Sequence, residues 1–482
     1  MLALRPFQSE AIERARAAIR AGSRRVLIQS PTGSGKTVLS AFMLRTVCDR
    51  GKRSWFVVHR RELLEQSVAT LQSVGLDVAT IEAGRDFRSG APVTVAMVQT
   101  LARRMDRVEP PDVVVWDECQ HVVSNTYASI QAYLPSETVQ IGLSATPERL
   151  DGRGLAKHFD VLIPGQSVKW LIGWGFLSPY KYFAPPTVSA DDMGTSMGDY
   201  KKSDVVEAVD RPTITGCAIE HYKKLCPGKR ALVFCASIEH SEHVAESFRA
   251  AGVDAVHLDG ETAADVRRDR MADFRAGSLD VISSVDLFGE GLDVPGIEAV
   301  ILLRPTQSLA LHLQQVGRAL RPQPGKTAII CDHVGNVTRH GFPCEDRIWT
   351  LEQDRRKRRG TTPVRTCPSC YAALPIAVSK CPECGHEFDT EKSREPEQVA
   401  GKLVELTPQQ RARQESACET YEELAALGRA RGYRPGWAFH RWNARKLYQA
   451  TRAAIHAPAP EPVTVAAAGS YSRDEIYRLL TP

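Results

Sequence analysis

The stretch "RRVLIQSPTGSGKTVLSAFMLRTV", Arg24 to Val47, decides the fold. Three apolar positions, Val26 to Ile28, run into a Gly-rich turn, and a segment with an apolar stripe follows, so the pattern predicts strand, turn and helix. Glycines let backbone N–H groups close around an anion, and the following helix points its positive end at it, which makes this a phosphate-binding loop. Thr32, Gly33, Ser34 and Gly35 form the cradle. Lys36 is placed to reach the β- and γ-phosphates of a nucleotide, and the Thr37 hydroxyl to hold magnesium. The strict form of the pattern has glycine where Ser30 stands.

A phosphate loop of this kind sits at the carboxyl edge of a parallel sheet and needs a carboxylate on a neighbouring strand. "PDVVVWDE" supplies it: a continuous apolar run, as expected of a strand buried on both faces, ending in Asp117 and Glu118. Asp117 is assigned to magnesium, Glu118 to orienting and deprotonating the attacking water. "KRSWFVVHRRELLEQS", "APVTVAMVQTLARR" and "VQIGLSATPERLDG" repeat the transition from apolar strand to polar turn.

From about Arg230 a second alternation begins. "RALVFCAS", "VDAVHLDG" and "LDVISSVD" read as strands, with helical segments between them, which implies another parallel sheet with right-handed crossovers. No phosphate loop accompanies it. A role in hydrolysis therefore requires closure on the first domain, and "QQVGRALR", Gln314 to Arg321, carries the residues for it. Arg318 and Arg321, three apart on a predicted helix, share a face. An arginine delivered to a γ-phosphate is worth ~10³ to 10⁵ in rate.

Together "RPFQ", "SPTGSGKT", "VVHRREL", "VQT", "DECQH", "SATP", "DLFGEGLDVPG" and "QQVGRALR" resemble the ordered motifs of superfamily 2 helicases and translocases. With "SATPERLDGRGL" and "CDHVGNVTRHGFP", the texture is similar to the RadD-like branch, which is associated with DNA repair and recombination. The resemblance implies an α/β fold with two RecA-like parallel-sheet domains, ATP and Mg2+ as cofactors, and DNA as partner, single-stranded or branched, with RNA as the alternative polymer. It implies that Arg5 and Gln8 contact the adenine, that Gly291 and Asp293 belong to the nucleotide site, and that His59, Arg60, Gln99 and Thr100 lie along the nucleic-acid backbone. Ser144 and Thr146 would link the two sites, with Gln120 at the coupling position, where relatives often carry histidine, and His121 beside it. The implied domains are residues 1–165 (ATP-binding), 166–204 (connector) and 205–345 (second RecA-like domain).

Beyond the motor, "TCPSCYAALPIAVSKCPECGHEF" holds Cys367, Cys370, Cys381 and Cys384 as two C-x-x-C turns ten residues apart. Two such turns make a tetrahedral sulfur cage suited to structural Zn2+, with no open position for catalysis. This defines a basic segment and zinc ribbon over 346–390, which includes "DRRKRRG", a run suited to phosphates. In 391–456, "YEELAALGRARGYRPGWAFHRWNARKLYQ" interleaves arginines with aromatics. The mixture suits a surface that stacks bases, and equally a small helical core. Residues 457–482 read as a flexible linker and a short capped helix able to dock a repair or single-strand-binding protein.

The 482 residues are 43% hydrophobic and 25% charged, the profile of a soluble globular chain of more than one domain. A net charge of +5 does not by itself indicate a polyanion partner. Without an apolar run of membrane-spanning length or an export signal, the expected location is the cytoplasm, at the nucleoid, with no membrane partner. There the cysteines stay reduced.

Overall fold

The computed structural model describes residues 3–86, 88, 90–122, 124–148, 154–185, 193–196, 199–287, 296–352, 362–388, 415–433, 436–439, 441–443 and 445. Residues up to 389 belong to one compact unit, and residues 390–472 to another.

In the first unit the apolar runs form two parallel sheets. The first contains β1 (Arg25–Gln29), β2 (Ser54–Val58), β3 (Val78–Ile81), β4 (Val93–Met97), β5 (Val113–Trp116), β6 (Val139–Ser144) and β7 (Val161–Ile163), in the order β3-β4-β2-β5-β6-β1-β7. β1 and β5 both flank β6, with Gln29 opposite Ser144 and Trp116 opposite Gly142. The phosphate loop and the acidic strand end therefore open on the same edge, one strand apart. Val26, Ile28, Phe56, Val58, Val95 and Val115 are buried against helices on one face, while Leu27, Trp55, Val57, Val114 and Trp116 are buried on the other. Burial on both faces explains why these runs are continuous rather than alternating.

The second sheet contains β8 (Tyr180–Phe183), β11 (Ala231–Phe234), β12 (Ala255–Leu258), β13 (Val281–Ser284), β14 (Ala299–Leu302) and β15 (Ala328–Asp332), in the order β12-β13-β11-β14-β15-β8, parallel throughout. β8 comes from the stretch read as connector, so part of that stretch completes the second sheet. A small antiparallel pair, β9 (Thr195–Ser196) and β10 (Asp199–Tyr200), follows it; Asp199 accepts hydrogen bonds from Thr306 Oγ1 and the Gln307 amide. After β15 the chain returns to the first domain, where the Ala156 amide donates to the Leu351 carbonyl at 3.0 Å.

The four-cysteine segment is built onto the edge of the second sheet. β16 (Val364–Thr366) pairs antiparallel with β17 (Ala373–Pro375), Ala372 bridges to Phe183, and the Ala184 amide donates to the Tyr371 carbonyl at 2.9 Å. Cys367, Ala372, Leu374 and Cys381 share a buried cluster with Phe183, Ile329 and Cys331.

The other unit contains a helix, Tyr421–Ala430, capped by Thr420 and Glu423 as a reciprocal box. Trp437 packs on Gly428, where an added methyl would meet the indole at 2.8 Å, and against Tyr433 with centroids 4.6 Å apart. Arg431 and Arg441 both pair with Glu415, and Arg445 lies over Trp442. The run "DRRKRRG" and the terminal capped helix lie outside the described residues.

Candidate nucleotide site and zinc centre

Gly33 and Gly35 adopt φ of 84° and 90°, left-handed values open to glycine at little cost, and Gly35 caps the helix Lys36–Cys48. A methyl on Gly35 would lie 2.7 Å from Gln8 Nε2. That amide donates to the Ser34 and Gly35 carbonyls at 3.0 and 3.1 Å, while Gln8 Oε1 accepts from the Arg5 amide at 2.9 Å. Gln8 thus props the phosphate loop from below. The sequence assigned it only to the base. Arg5 lies over the Phe176 ring, 5.0 Å from its centroid.

Glu118 follows β5 in the left-handed region, φ 48°, a conformation costing a non-glycine residue about 1–3 kcal/mol. The turn brings Glu118 Oε1 to 3.2 Å from Lys36 Nζ, both side chains nearly buried. Gln120 Nε2 then donates to Glu118 Oε2 at 3.0 Å, and Ser144 Oγ lies 2.7 Å from both Gln120 Oε1 and the Thr146 carbonyl. The Thr146 amide donates back to Ser144 Oγ at 3.1 Å. Lys36, Glu118, Gln120, Ser144 and Thr146 therefore form one buried polar chain from the phosphate loop to the end of β6. Gln120 serves it because an amide donates at one atom and accepts at the other. Asp117 is buried beside this chain, with Thr37 in the first turn of the phosphate-loop helix. A carboxylate and a hydroxyl at this sheet edge fit a magnesium ion, which would draw charge from the phosphates. Burial beside Glu118 and Asp117 pushes the Cys119 thiol well above its ordinary range, which leaves it an inert core residue.

The second domain reaches this site through the helix Leu309–Ala319. A methyl on Gly317 would lie 2.5 Å from Thr32 Cβ, so glycine there permits the helix to touch the phosphate loop. Gln314 and Arg318 are buried on this helix, and both amide atoms of Gln314 lack a hydrogen-bond partner among the described residues. The helix stops at Ala319 with Leu320 as its cap, so Arg321 lies just beyond it and not on the shared helical face expected from sequence. It still faces the site: a methyl on Gly33 would meet Arg321 Cγ at 3.5 Å.

The nucleic-acid candidates fall on a different stretch of the edge. The His59 and His121 rings pack together tilted by 42°, with centroids 4.7 Å apart. Arg60 Nη1 donates to the Asp286 and Leu287 carbonyls at 2.9 and 3.0 Å, and Glu62 pairs with Arg267 at 2.8 Å. Arg60 thus ties the first domain to the second, and the Glu62–Arg267 bridge beside it carried no sequence signal. Gln99 is exposed and Thr100 half-buried on the helix Val98–Ala102. Gly291 and Asp293 lie outside the described residues.

At the zinc centre the sulfurs of Cys367, Cys370, Cys381 and Cys384 lie within 4.8 Å of one another, with Cys367–Cys384 and Cys370–Cys381 at 3.6 Å. A tetrahedral zinc with bonds of about 2.3 Å has sulfur–sulfur edges of about 3.8 Å, so the four residues fit the ion. The His386 backbone amide lowers the Cys384 thiol to about 7, while burial raises the Cys370 and Cys381 thiols, so of these three only Cys384 favours the thiolate before a metal binds. His386 itself rests on Phe388.

Comparison with known proteins agrees with this geometry. The family model "Type III restriction enzyme, res subunit" matches residues 1–149, "Helicase conserved C-terminal domain" matches 217–323, and "Uncharacterised protein family UPF0547" matches 365–390. A 51.5 kDa protein of Lactococcus phage (isolate 7-9) is 33% identical over 78% of this chain and 81% of its own length. A Saccharomyces cerevisiae protein named as the ATP-dependent helicase IRC3 is 29% identical over 69% of this chain, which spans only 51% of that protein. The fold is shared with a fragment of a type I restriction enzyme HsdR subunit from Vibrio vulnificus YJ016, TM-score 0.57 at 22% identity, covering 71% of this chain and 68% of that one. No helix among the described residues is long and apolar enough to cross a membrane. The phosphate loop, its buried acidic partner, the arginine helix pressed against the loop and these relatives agree: the chain belongs to superfamily 2 of the helicases and is an ATPase of that family.

Proposed function

We propose that the protein is an ATP-driven DNA helicase or translocase of the RadD-like branch, acting in DNA repair or recombination. ATP would bind between the phosphate loop and the arginine helix, with Thr37 and Asp117 on its magnesium ion and Lys36 on its phosphates. Glu118, released from Lys36 by the incoming phosphates, would orient and deprotonate the water, while Arg318 and Arg321 neutralise the developing charge. The observation that supports this reading is the approach of Gly317 to Thr32, which sets the helix carrying Arg318 against the phosphate loop of the first domain. The restriction-enzyme names among the relatives favour DNA over RNA, because motors of this kind touch mostly backbone and do not separate the polymers themselves.

Strand displacement on forked and tailed DNA and on matching RNA, with ATP consumption recorded, tests the proposal. Displacement of DNA by the wild-type protein, lost in Glu118→Gln with ATP binding retained, is expected. Hydrolysis stimulated by DNA without displacement would leave a clamp or a duplex translocase, and wild-type turnover by Glu118→Gln would remove Glu118 as the base.

A further inference from the structure

Three consecutive residues outside every motif touch three different parts of the nucleotide site. Phe176 lies under the Arg5 guanidinium, its carbonyl accepts from Arg5 Nη1 at 3.4 Å, and its ring packs on Phe7 with centroids 5.2 Å apart. Leu177 is buried, and its Cδ2 would lie 3.1 Å from a methyl on Gly33 of the phosphate loop. Ser178 is 3% exposed; its amide donates to the Leu320 carbonyl at 2.8 Å and its hydroxyl to the Arg321 carbonyl at 3.0 Å. The next residue is fixed too, because the Pro179 carbonyl accepts from Ala328 of β15 at 2.8 Å.

Ser178 therefore holds the two carbonyls just past the arginine helix, those of its cap Leu320 and of Arg321. Only a short side chain with a hydroxyl does this without displacing the backbone. The run is anchored at its start as well, because the Phe176 and Leu177 amides both donate to the Leu171 carbonyl, at 2.8 and 3.1 Å.

We infer that Phe176, Leu177 and Ser178 are positioning residues that set Arg321 according to whether a base occupies the Arg5 side of the site. The link rests on the reading of Arg5 as a base contact and Arg321 as the closing arginine. A base settling beside Arg5 and Phe176 holds the ring, Leu177 holds the phosphate loop, and Ser178 holds the Arg321 backbone in register. Base identity then affects turnover as well as affinity.

Steady-state hydrolysis of ATP and CTP by the full-length protein with saturating DNA tests this. In the wild type, kcat for ATP exceeds kcat for CTP at saturation. In Ser178→Ala, kcat for ATP falls by about tenfold, the order of one lost hydrogen bond, the KM for ATP stays within about twofold of wild type, and the ATP-over-CTP difference in kcat disappears. Ser178→Thr keeps the hydroxyl and restores both. Equal wild-type kcat for the two nucleotides, an equal fall with both in Ser178→Ala, or no fall at all would overturn the link. Arg321→Ala separates this from failure of the underlying reading. Its loss of hydrolysis with nucleotide binding retained keeps Arg321 in its role while Ser178 is judged, whereas normal hydrolysis by Arg321→Ala overturns both.

Discussion

The two parallel sheets share a rhythm and divide the work unequally. In the first, buried polar groups at the carboxyl edge join in a single chain from Lys36 to Thr146, and the strain of a left-handed Glu118 is spent on aiming it. In the second, the corresponding groups sit on one helix, where both amide atoms of Gln314 stay unpartnered among the described residues. One domain is assembled for catalysis in its own right. The other is complete only against its neighbour, so damage to each should be distinguishable.

The strongest break in this comparison is Gly317→Ala. Alanine favours a helix over glycine by about 1 kcal/mol, so the second domain should melt no lower than in the wild type. Its methyl, however, would lie 2.5 Å from Thr32 Cβ, and the arginine helix could not seat. Hydrolysis should fall by ~10³, the scale of a missing arginine, while ATP binding to the first domain persists. Measured turnover within about tenfold of wild type would mean that the arginines do not need this approach.

Next comes removal of zinc. The sulfur cage shares its core with Phe183, Ile329 and Cys331, so chelation or Cys367→Ser should open more than the ribbon. Hydrogen exchange read by mass spectrometry should accelerate first in β8 and β15, with β1 and β6 unchanged. Equal loss in both sheets would make the metal a support of the whole motor.

A smaller contrast lies in acid. Burial pushes the His240 ring down to about 4, and burial with the neighbouring His221 pushes His333 down to about 3; His312 is lowered well below its ordinary value by burial beside His340. All lie in the second domain. Unfolded histidine titrates near 6.5, so below that value the unfolded chain binds protons that the folded domain refuses. Their stabilising contribution is whole above 6.5 and is lost as pH falls through the folded values. The buried Asp332 carboxyl, pushed up, acts in the opposite sense as a single group. Between pH 7.5 and 5.5, the second domain's melting temperature should drop by several degrees while the first domain's moves less, as followed by exchange in the same strands.

Much of this was legible in the sequence, for physical reasons. The strands β1, β2, β4, β5, β6, β11, β12 and β13 are legible as apolar runs, whereas β3, β7, β8, β14 and β15 were not read; the phosphate loop is legible because its backbone requires glycine. The C-x-x-C turns are legible because zinc fixes both ligand type and spacing. Contacts between the domains were not. Nothing in the sequence sets Thr32 opposite Gly317, the Asp286 carbonyl on Arg60, or the Leu320 and Arg321 carbonyls on Ser178. Each depends on a partner over a hundred residues away, which no local pattern encodes. Arg321 falls two residues past the helix expected to carry it, where Ser178, from far along the chain, holds its carbonyl and that of Leu320.

The finest distinction concerns Gln120, at the position that the resemblance to superfamily 2 motifs assigns to coupling. Its amide bridges Glu118 and Ser144 in one orientation at any pH, with Nε2 donating and Oε1 accepting. A neutral imidazole can also donate at one nitrogen and accept at the other, but its charge changes near neutral pH. Gln120→His should therefore leave hydrolysis without nucleic acid within about twofold of wild type and change the stimulation by DNA by about three- to tenfold, a coupling of roughly 1 kcal/mol. The size of that change should depend on pH between 6 and 8, because a protonated ring can no longer accept from Ser144. Gln120→Glu sharpens the point. It keeps the acceptor for Ser144 but sets a second carboxylate beside Glu118, and so should weaken basal hydrolysis as well. If Gln120→His instead altered basal hydrolysis more than stimulation, the residue would belong with Glu118 in the chemistry, and the first domain's polar chain would end at Gln120 rather than at Thr146.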